Sequence, residues 1–326
     1  MRGRRRAIRA AWAARAVVAA LAVLAAAAPG CSSGGPGASD ASAGSTTAPG
    51  ESTVPAETAS PEPEGSPVAA AFARLEAAHA ARLGVYAVDT GSGETVEYRA
   101  DERFPFASTH KVLSAAAVLR DTSAADLDEV VRYERADLVS HSPVTEAHVD
   151  TGLRLGEVIR AAITVSDNTA ANLLFERLGG PAGLEAVVRD WGDDTTSFDR
   201  WEPELGDWAP GETRDTSTPR VMAAHLEALA LGSVLDEEDR AFLVDALRAS
   251  TTGSDLVRSA VPDGWVAGDK TGTSTHGGRN DIAVVWPPGG APIVVAIYTH
   301  RLDPAADPAN GLIAEAAEVV LDRLAD

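Results

Sequence analysis

The sequence predicts an α+β fold, an α-β sandwich in which helices flank a five-stranded antiparallel sheet and a mostly helical lobe is inserted. Three observations support this architecture: two strand-like segments come early, three come late, and almost every periodic segment between them is helical. The simplest closure of such a chain is one antiparallel sheet covered by the terminal helices. We expect one folded domain at 68–326, with an α/β lobe at 68–106 and 251–326 and a helical lobe at 107–250.

The early segments alternate between helical and strand periodicity. Apolar positions recur at helical spacing over 68–83, and residues 85–90 and 95–99 form a hairpin across the turn Gly91-Ser92-Gly93. Helix start signals such as Ser217 before Pro219, and Asp236 before acidic residues, mark the middle of the chain. The helices predicted there are 152–165, 169–178, 181–191, 217–231 and 236–249.

The late segments supply the rest of the sheet. Strands are predicted at 265–272, 281–286 and 292–298, the last two joined across Pro287-Pro288-Gly289-Gly290. A final helix is predicted at 310–324.

Residues 1–31 have the composition of an export signal. Six arginines and no acidic residue occur there, and a run of Ala, Val and Leu ends near Ala28. A basic start, a short apolar middle and a small-residue end are typical of a signal peptide rather than a spanning helix. The cluster Arg4-Arg5-Arg6 leaves both general secretion and twin-arginine export open.

The segment that follows predicts a tethered, exported protein. Cys31 lies after small residues, as in a bacterial lipoprotein site; the alternative is an incidental cysteine after ordinary cleavage. Residues 32–67 are rich in Ser, Gly, Thr and Pro, so they cannot offset their ordering entropy by burial. We expect a disordered tether, and a protein held by lipid outside the cytoplasmic membrane, or else secreted or periplasmic.

Composition excludes several classes of partner. With 28 Lys plus Arg against 48 Asp plus Glu, the formal net charge is −20, which argues against binding nucleic acid or an anionic membrane surface. The one cysteine cannot form an internal disulfide, and the seven histidines form no closely spaced ligand pair. We therefore expect a monomer with no metal and no cofactor, in contact with the membrane only through a lipid anchor.

Ser108 and Lys111 form the first candidate catalytic pair. They stand three residues apart at the head of an apolar, alanine-rich run that follows Pro105. At helical spacing the two side chains share a face, and Ser108 lies where the first N–H groups of a helix lack partners. The pair predicts a nucleophile with a proton acceptor beside it. A capped helix with a solvated lysine is the structural alternative.

Lysine usage strengthens the catalytic interpretation. Lys111 and Lys270 are the only lysines in a chain that otherwise uses arginine. A desolvated lysine can lose its proton, whereas arginine effectively cannot. Keeping lysine at just these two positions indicates that both need an amine.

Two further motifs complete the candidate site. Ser166-Asp167-Asn168 lies between two helices and is either a turn with an N-cap or a second hydroxyl beside a substrate-binding amide. Lys270-Thr271-Gly272-Thr273 predicts an exposed-edge strand, in which Gly272 would let a ligand approach the backbone; a plain edge strand with a blocking lysine is the alternative. The N–H groups of Ser108 and Thr273 could form an oxyanion hole.

Taken together, Ser-x-x-Lys, Ser-Asp-Asn and Lys-Thr-Gly in this order resemble the penicillin-recognising serine enzymes. Residues 199–205, Asp-Arg-Trp-Glu-Pro-Glu-Leu, further resemble the omega loop of class A β-lactamases, which transpeptidases lack. The resemblance extends from about Val68 to the C-terminus. It implies the β-lactamase/transpeptidase-like fold and hydrolysis of β-lactam antibiotics, hence resistance, through a covalent acyl-serine intermediate.

The resemblance also implies a role for each matching residue. Ser108 would be the nucleophile and Glu202 would activate the deacylating water, while either Lys111 or Glu202 could be the acylation base. Ser166 would pass a proton to the leaving nitrogen. Arg200 and Asp215 would pair to close the omega loop, and Asp167 and Asn172 would support the site. The residues implied in substrate binding are Asn168, Lys270, Thr271, Gly272, Thr273, Arg279 and His141.

Three departures from the family pattern bear on substrate range. Gly206 stands where an asparagine usually helps to hold the hydrolytic water, and His141 stands at a rim position where tyrosine is common. Ala107 and Ser274 stand where some carbapenem-hydrolysing relatives carry a disulfide pair.

Two rival functions remain open. One is a D-alanyl-D-alanine carboxypeptidase or transpeptidase, and the other is a β-lactam-binding sensor without turnover. Glu202 argues against both, because transpeptidases lack the omega loop that carries it and a sensor without turnover has no usable deacylation base.

Overall fold

The computed structural model describes residues 66–325, and their central feature is a five-stranded antiparallel sheet. The predicted signal segment, Cys31 and the tether up to residue 65 lie outside the described residues. The strands of this sheet are β1 Ala81–Asp89, β2 Thr95–Tyr98, β7 Val266–Ser274, β8 Gly278–Trp286 and β9 Ile293–Arg301. Across the sheet their order is β2-β1-β9-β8-β7. Two short pairs join β3 Phe104–Pro105 to β6 Thr216–Ser217, and β4 Val130–Val131 to β5 Leu153–Arg154.

Eight α-helices lie within the described residues, and most of them fall between the early and late strands. Their bounds are α1 Pro67–His79, α2 Lys111–Arg120, α3 Leu155–Thr164, α4 Asn168–Leu178, α5 Pro181–Asp190, α6 Pro219–Ala230, α7 Glu237–Arg248 and α8 Asn310–Leu324. The predicted order of two early strands, a helical block and three late strands is confirmed.

The sheet separates two hydrophobic clusters. Along β9, Ile293, Val295 and Ile297 belong to the cluster shared with α1 and α8. The intervening residues Val294 and Ala296 belong to the cluster shared with α2–α7. Successive side chains of a strand point to opposite faces, so a strand buried on both faces shows the continuous apolar run that this segment has.

The terminal helices pack together on one face of the sheet. The predicted bounds of α8 match the observed helix, whose buried residues recur at helical spacing. α1 begins at the Ser66 N-cap, whose side chain accepts from Ala69 N at 3.0 Å, with Pro67 at the first helical position.

The prediction of a helix over 68–83 was wrong at its C-terminal end. α1 ends at His79, Ala80 adopts a left-handed conformation with φ 45°, and β1 already begins at Ala81. The buried positions Ala81 and Leu83 alternate as in a strand, and β9 pairs with this stretch. Pairing with a distant strand therefore overrode the local helical spacing.

A second correction concerns the helix predicted from Gly152. Leu153–Arg154 instead pairs with Val130–Val131, and α3 begins at Leu155. The Glu157 carboxylate accepts from Arg154 N at 2.9 Å, which fixes the helix start there. The remaining strands and helices differ from prediction by a few residues at their ends.

The edge position of β7 is confirmed, but its predicted exposure was wrong. β7 is the terminal strand of the sheet, yet Ala267 to Gly272 are buried because α7 and the turn that carries Ser108 pack against it. Only Val266 and Thr273 of this strand are exposed.

Among residues 66–325, none of the helices has the length and apolar character needed to cross a membrane. In the same part of the chain, no three His, Cys, Asp or Glu side chains cluster closely enough to hold a metal ion.

Candidate active site

Ser108 lies in a 3₁₀ turn, Ala107–His110, that leads directly into α2. Ala107 just before it has φ 46°, a left-handed conformation that is rare for an alanine. Ser108 is partly exposed, whereas its neighbours Thr109 and His110 are fully buried. The turn therefore presents the Ser108 hydroxyl at the surface of an otherwise buried segment.

Contacts from the sheet hold this turn in place. A Cβ atom at Gly272 would lie 2.9 Å from Phe106 O and 3.2 Å from Ala107 Cβ, so only glycine lets β7 pack this closely. The Asn280 side chain on β8 donates to Pro105 O at 2.7 Å. The turn that carries Ser108 therefore lies where a side chain of residue 272 would stand.

Lys111 is fully buried and its ammonium group has four oxygen partners. Nζ lies 2.8 Å from Ser166 O, 3.3 Å from Ser166 Oγ and 2.6 Å from Asn168 Oδ1. It also lies 3.1 Å from Glu202 Oε1. Ser108 Oγ donates to the same Glu202 oxygen at 3.2 Å. Ser108 and Lys111 were expected to lie side by side, and the Glu202 carboxylate joins their side chains.

Lys270 reaches the site from β7. It is fully buried, and its Nζ donates to Ser166 Oγ at 3.0 Å and to Thr271 O at 2.7 Å. Ser166 therefore stands between the two lysines of the chain, with φ 59° placing its hydroxyl there. The three motifs, far apart in the chain, meet at this hydroxyl.

Asp167 and Asn168 fix the loop between α3 and α4. The Asp167 carboxylate caps α4 through Ala170 N at 2.8 Å and accepts from Val144 N and Thr145 N at 3.0 and 2.9 Å. Asn168 Nδ2 donates to Ser140 O at 2.9 Å. The turn and N-cap interpretation is therefore correct for Asp167, and it coexists with a polar site beside it.

Glu202 is held at both its backbone and its side chain. Asn172 on α4 accepts from Glu202 N at 3.0 Å and donates to Glu202 O at 2.9 Å. This two-point contact fixes the Glu202 backbone relative to the helical block, while Ser108 and Lys111 meet the carboxylate.

Two anchors fix the surrounding loop. At one, Arg200 Nε donates to Asp215 Oδ2 at 2.6 Å, and Asp215 Oδ1 accepts from Asp199 N at 2.9 Å. At the other, Thr275 after β7 donates its N–H to Gly206 O at 2.9 Å, and its hydroxyl accepts from Trp208 N at 2.8 Å. The Arg200–Asp215 pair was expected, and the Thr275 contacts were not.

The rim of the site carries the remaining candidate residues. Arg279 Nη1 donates to Thr273 Oγ1 at 2.7 Å, so these two side chains form one polar surface. The Thr271 hydroxyl is 2.7 Å from that of Thr252. His141 is exposed with φ 59°, and its Nε2 lies 3.1 Å from Val165 O.

Burial and charge together set the protonation of the central groups. Burial alone would raise the pKa of Glu202, but the Lys111 charge and the hydrogen bonds from His110 and Lys111 outweigh it and hold the pKa at about 2. Burial lowers the pKa of Lys111, which Glu202 partly offsets. Burial and the Lys111 charge set the pKa of Lys270 well below its ordinary value. The site therefore holds an ionised carboxylate beside two amines whose pKa values burial lowers.

The structure thus brings together Ser108, Lys111, Ser166, Glu202 and Lys270. Asn168, Thr271, Gly272, Thr273, Arg279 and His141 border this cluster or adjoin one another, and Asp167, Asn172, Arg200 and Asp215 support it. Sequence reasoning missed His110, Asn280 and Thr275. Each contacts a residue more than 65 positions away, so no local pattern could have revealed them.

Comparison with known proteins places the chain in a family. The model of the β-lactamase enzyme family matches residues 67–324. A β-lactamase from Amycolatopsis lactamdurans is 55% identical over 253 residues, which is 78% of this chain and 84% of that protein. One from Nocardia farcinica is 54% identical over 257 residues, covering 78% and 82% of the two chains.

Solved structures agree. The class A β-lactamase from Clostridium kluyveri is 41% identical with a TM-score of 0.78, covering 79% of this chain and 98% of that one. The β-lactamase from Streptosporangium roseum is 45% identical with a TM-score of 0.77 over 79% and 98%. With the fold, the family match and these relatives in agreement, the chain belongs to the class A serine β-lactamases.

Proposed function

We propose that this β-lactamase opens the lactam ring with Ser108 as nucleophile and releases the product with water activated by Glu202. The observation that carries the proposal is the ionised, buried Glu202 carboxylate, 3.2 Å from Ser108 Oγ. A carboxylate there can take a proton from the attacking group, provided that the group lies within hydrogen-bond reach.

Acylation begins when Ser108 Oγ attacks the lactam carbonyl carbon and loses its proton to a base. Glu202 is in contact with the hydroxyl, and Lys111 is in contact with Glu202, so either group can accept that proton directly or through the other. The C–N bond then breaks, and the ring nitrogen takes a proton from Ser166 Oγ, which Lys111 and Lys270 replenish.

Backbone N–H groups and side chains at the rim of the site would position the substrate. The N–H groups of Ser108 and Thr273 would hold the carbonyl oxygen, each such donor contributing about 10²–10³ in rate. Arg279 and Thr273 form a polar surface suited to the substrate carboxylate. The other residues proposed to bind substrate are Asn168, Lys270, Thr271, Gly272 and His141.

Deacylation releases the product. A water molecule gives a proton to Glu202 and attacks the ester carbonyl, and the departing Ser108 oxygen recovers a proton. Hydrolysis of the antibiotic in this way confers resistance on the cell that exports the enzyme.

The test is hydrolysis of a chromogenic cephalosporin by the protein beside Ser108→Ala and Glu202→Gln. We expect turnover by the parent, none by the serine variant, and an acyl-enzyme that accumulates on the glutamine variant, detected as an adduct by mass spectrometry. A parent that stalls as a stable acyl-enzyme would refute the hydrolase mechanism and would favour a penicillin-binding or sensor function.

The N-terminal segments carry a separate part of the proposal. Residues 1–31 serve as the export signal, Cys31 receives a lipid, and 32–67 tether the domain at 68–326 outside the cytoplasmic membrane. The domain acts as a monomer without a cofactor, and its lobes are 68–106 with 251–326, and 107–250. Labelling with a radioactive fatty acid tests the anchor, because Cys31→Ala should abolish the label and release the protein from the membrane.

A further inference from the structure

His110 is a buried histidine at the catalytic turn for which the mechanism above has no role. It lies between Thr109 and Lys111 and is fully buried. Its ring stacks on Phe175 of α4, with 4.9 Å between centroids and 1° between planes. Its Nε2 lies 3.2 Å from Glu202 Oε1. The ring therefore connects the turn that carries the nucleophile, the helix behind it and the general base.

The chemistry of the contact fixes the tautomer. An ionised carboxylate only accepts hydrogen bonds, so the proton of the neutral ring must sit on Nε2. Nδ1 is buried with no hydrogen-bond partner among the described residues, which an unprotonated nitrogen tolerates better than an N–H group. Burial also lowers the pKa of His110, outweighing the attraction of Glu202. His110 is thus a neutral donor at neutral pH.

The contacts of Glu202 are concentrated on one oxygen. Ser108 Oγ, His110 Nε2 and Lys111 Nζ all lie 3.1–3.2 Å from Oε1. Within residues 66–325, no hydrogen bond reaches Oε2. One oxygen is therefore anchored, and the other remains available for a proton.

We propose that His110 is a positioning residue for Glu202, which anchors Oε1 through its Nε2–H and leaves Oε2 to receive the proton of the hydrolytic water. This inference rests on the proposed role of Glu202 as the deacylation base. His110 is fully buried, and it acts only through the carboxylate.

The pKa of Glu202 should depend on the hydrogen bond from His110. Glu202 faces the charge of Lys111 and the neutral His110, while Lys270 and Asp167 act on these partners from β7 and the α3–α4 loop. A hydrogen bond to the ionised form lowers the pKa of a carboxyl group. Removing the His110 donor leaves the Lys111 charge in place, so the pKa of Glu202 should rise by about one unit.

The experiment compares deacylation rate constants of the protein and three variants between pH 2 and 7, by stopped-flow kinetics. His110→Phe keeps a ring that can stack on Phe175 but has no donor. His110→Gln restores a donor near the position of Nε2. His225→Phe is the matched control, because His225 is also buried, donates to a buried carboxylate, Asp193, at 2.9 Å, and packs on Trp191 away from these groups.

We expect His110→Phe to deacylate about tenfold more slowly at pH 7, with its acid limb about one pH unit higher, and His110→Gln to recover most of both. The Phe variant should be no less stable, since the unpartnered Nδ1 is gone, whereas His225→Phe should lose stability and keep parental deacylation. Parental kinetics in His110→Phe, or activities that simply follow stability across the variants, would overturn the proposal.

Two further measurements keep the result decisive. If His110→Phe does not fold, ¹⁵N spectra of the parent serve instead: a neutral ring protonated on Nε2 from pH 5 to 8 supports the proposal, and titration near pH 6.5 or the opposite tautomer refutes it. Glu202→Gln separates the two claims. An acyl-enzyme trapped in that variant, together with unaffected deacylation in His110→Phe, contradicts only the role of His110.

Discussion

Replacing Asp215 with asparagine tests how far the active-site loop depends on one buried charge. The Asp215 side chain is 1% exposed, and its carboxylate accepts from Arg200 Nε at 2.6 Å. It also accepts from the backbone N–H groups of Asp199 and Arg200 at 2.9 and 3.1 Å. An asparagine oxygen can keep the two backbone contacts, but its NH₂ group then faces the Arg200 N–H group, donor against donor.

The expected loss of stability follows from the contact that the substitution removes. One charge-assisted hydrogen bond is worth about 1.5–3 kcal/mol, and removing one partner of a fully buried ion pair costs about 3–5 kcal/mol. The Arg200 side chain is 18% exposed, so water can solvate part of its charge in the variant. We therefore expect Asp215→Asn to lower the free energy of unfolding by about 2–3 kcal/mol.

Asp215→Asn should also slow deacylation, because the Arg200–Asp215 pair closes the loop that carries Glu202. A displacement of about 1 Å at a catalytic group can cost about 10²-fold in rate. Urea unfolding and acyl-enzyme accumulation, measured on the same samples, should therefore change together.

Glu97→Gln is the matched control. Glu97 on β2 pairs with Arg220 on α6 through two contacts of 2.7 and 2.6 Å, away from that loop. This control should lose stability and keep the parental deacylation rate. An Asp215→Asn protein with parental unfolding and parental deacylation would refute the reasoning.

Three further predictions concern the site itself. Lys270→Arg should fold but lose about 10²-fold or more in kcat/KM for a chromogenic cephalosporin, because a guanidinium cannot lose its proton in this fully buried position; retained activity would contradict this. Glu202 has its pKa held at about 2, below the ordinary 4.5, so its stabilisation is complete above pH 4.5 and lost as pH falls towards 2. In urea titrations, the free energy of unfolding of Glu202→Gln should fall by about 3 kcal/mol less than that of the parent as the pH is lowered through this range. An equal fall in both proteins would contradict the prediction. Gly206→Asn should be tolerated, since a Cβ atom there meets nothing closer than Thr273 O at 3.7 Å, and should speed deacylation of slow substrates by a few fold; a parental rate would show that water is held otherwise.

Much of the fold was predictable because its signals are local. The continuous apolar runs of β8 and β9 and the helical spacing of α8 each lie within one segment of the chain, and the order of segments left few ways to close a sheet. Where a signal was not local, prediction failed. Ala81 to Leu83 fit a helix by spacing, but their partners are residues 299–301 of β9.

The candidate site divides in the same way. Motif residues such as Ser108 and Lys270 carry their chemistry in their type and their neighbours, so the sequence was enough to nominate them. The contact of His110 with Glu202, and that of Thr275 with Trp208, join residues 92 and 67 positions apart. Only the folded chain brings such residues together, and these contacts fix how the base and its loop are oriented.

The two buried lysines show that composition and geometry have one physical cause. Lys111 and Lys270 are fully buried, and burial disfavours the charged form of both. Lys111 is compensated by Glu202, but Lys270 also faces the like charge of Lys111, so it can remain there only as a group able to release its proton. Arginine at either place would stay charged, so both buried positions would carry a permanent positive charge. This chain uses arginine at its other basic positions. It keeps lysine at the two buried positions, where two amines lie close together and a proton must be able to leave.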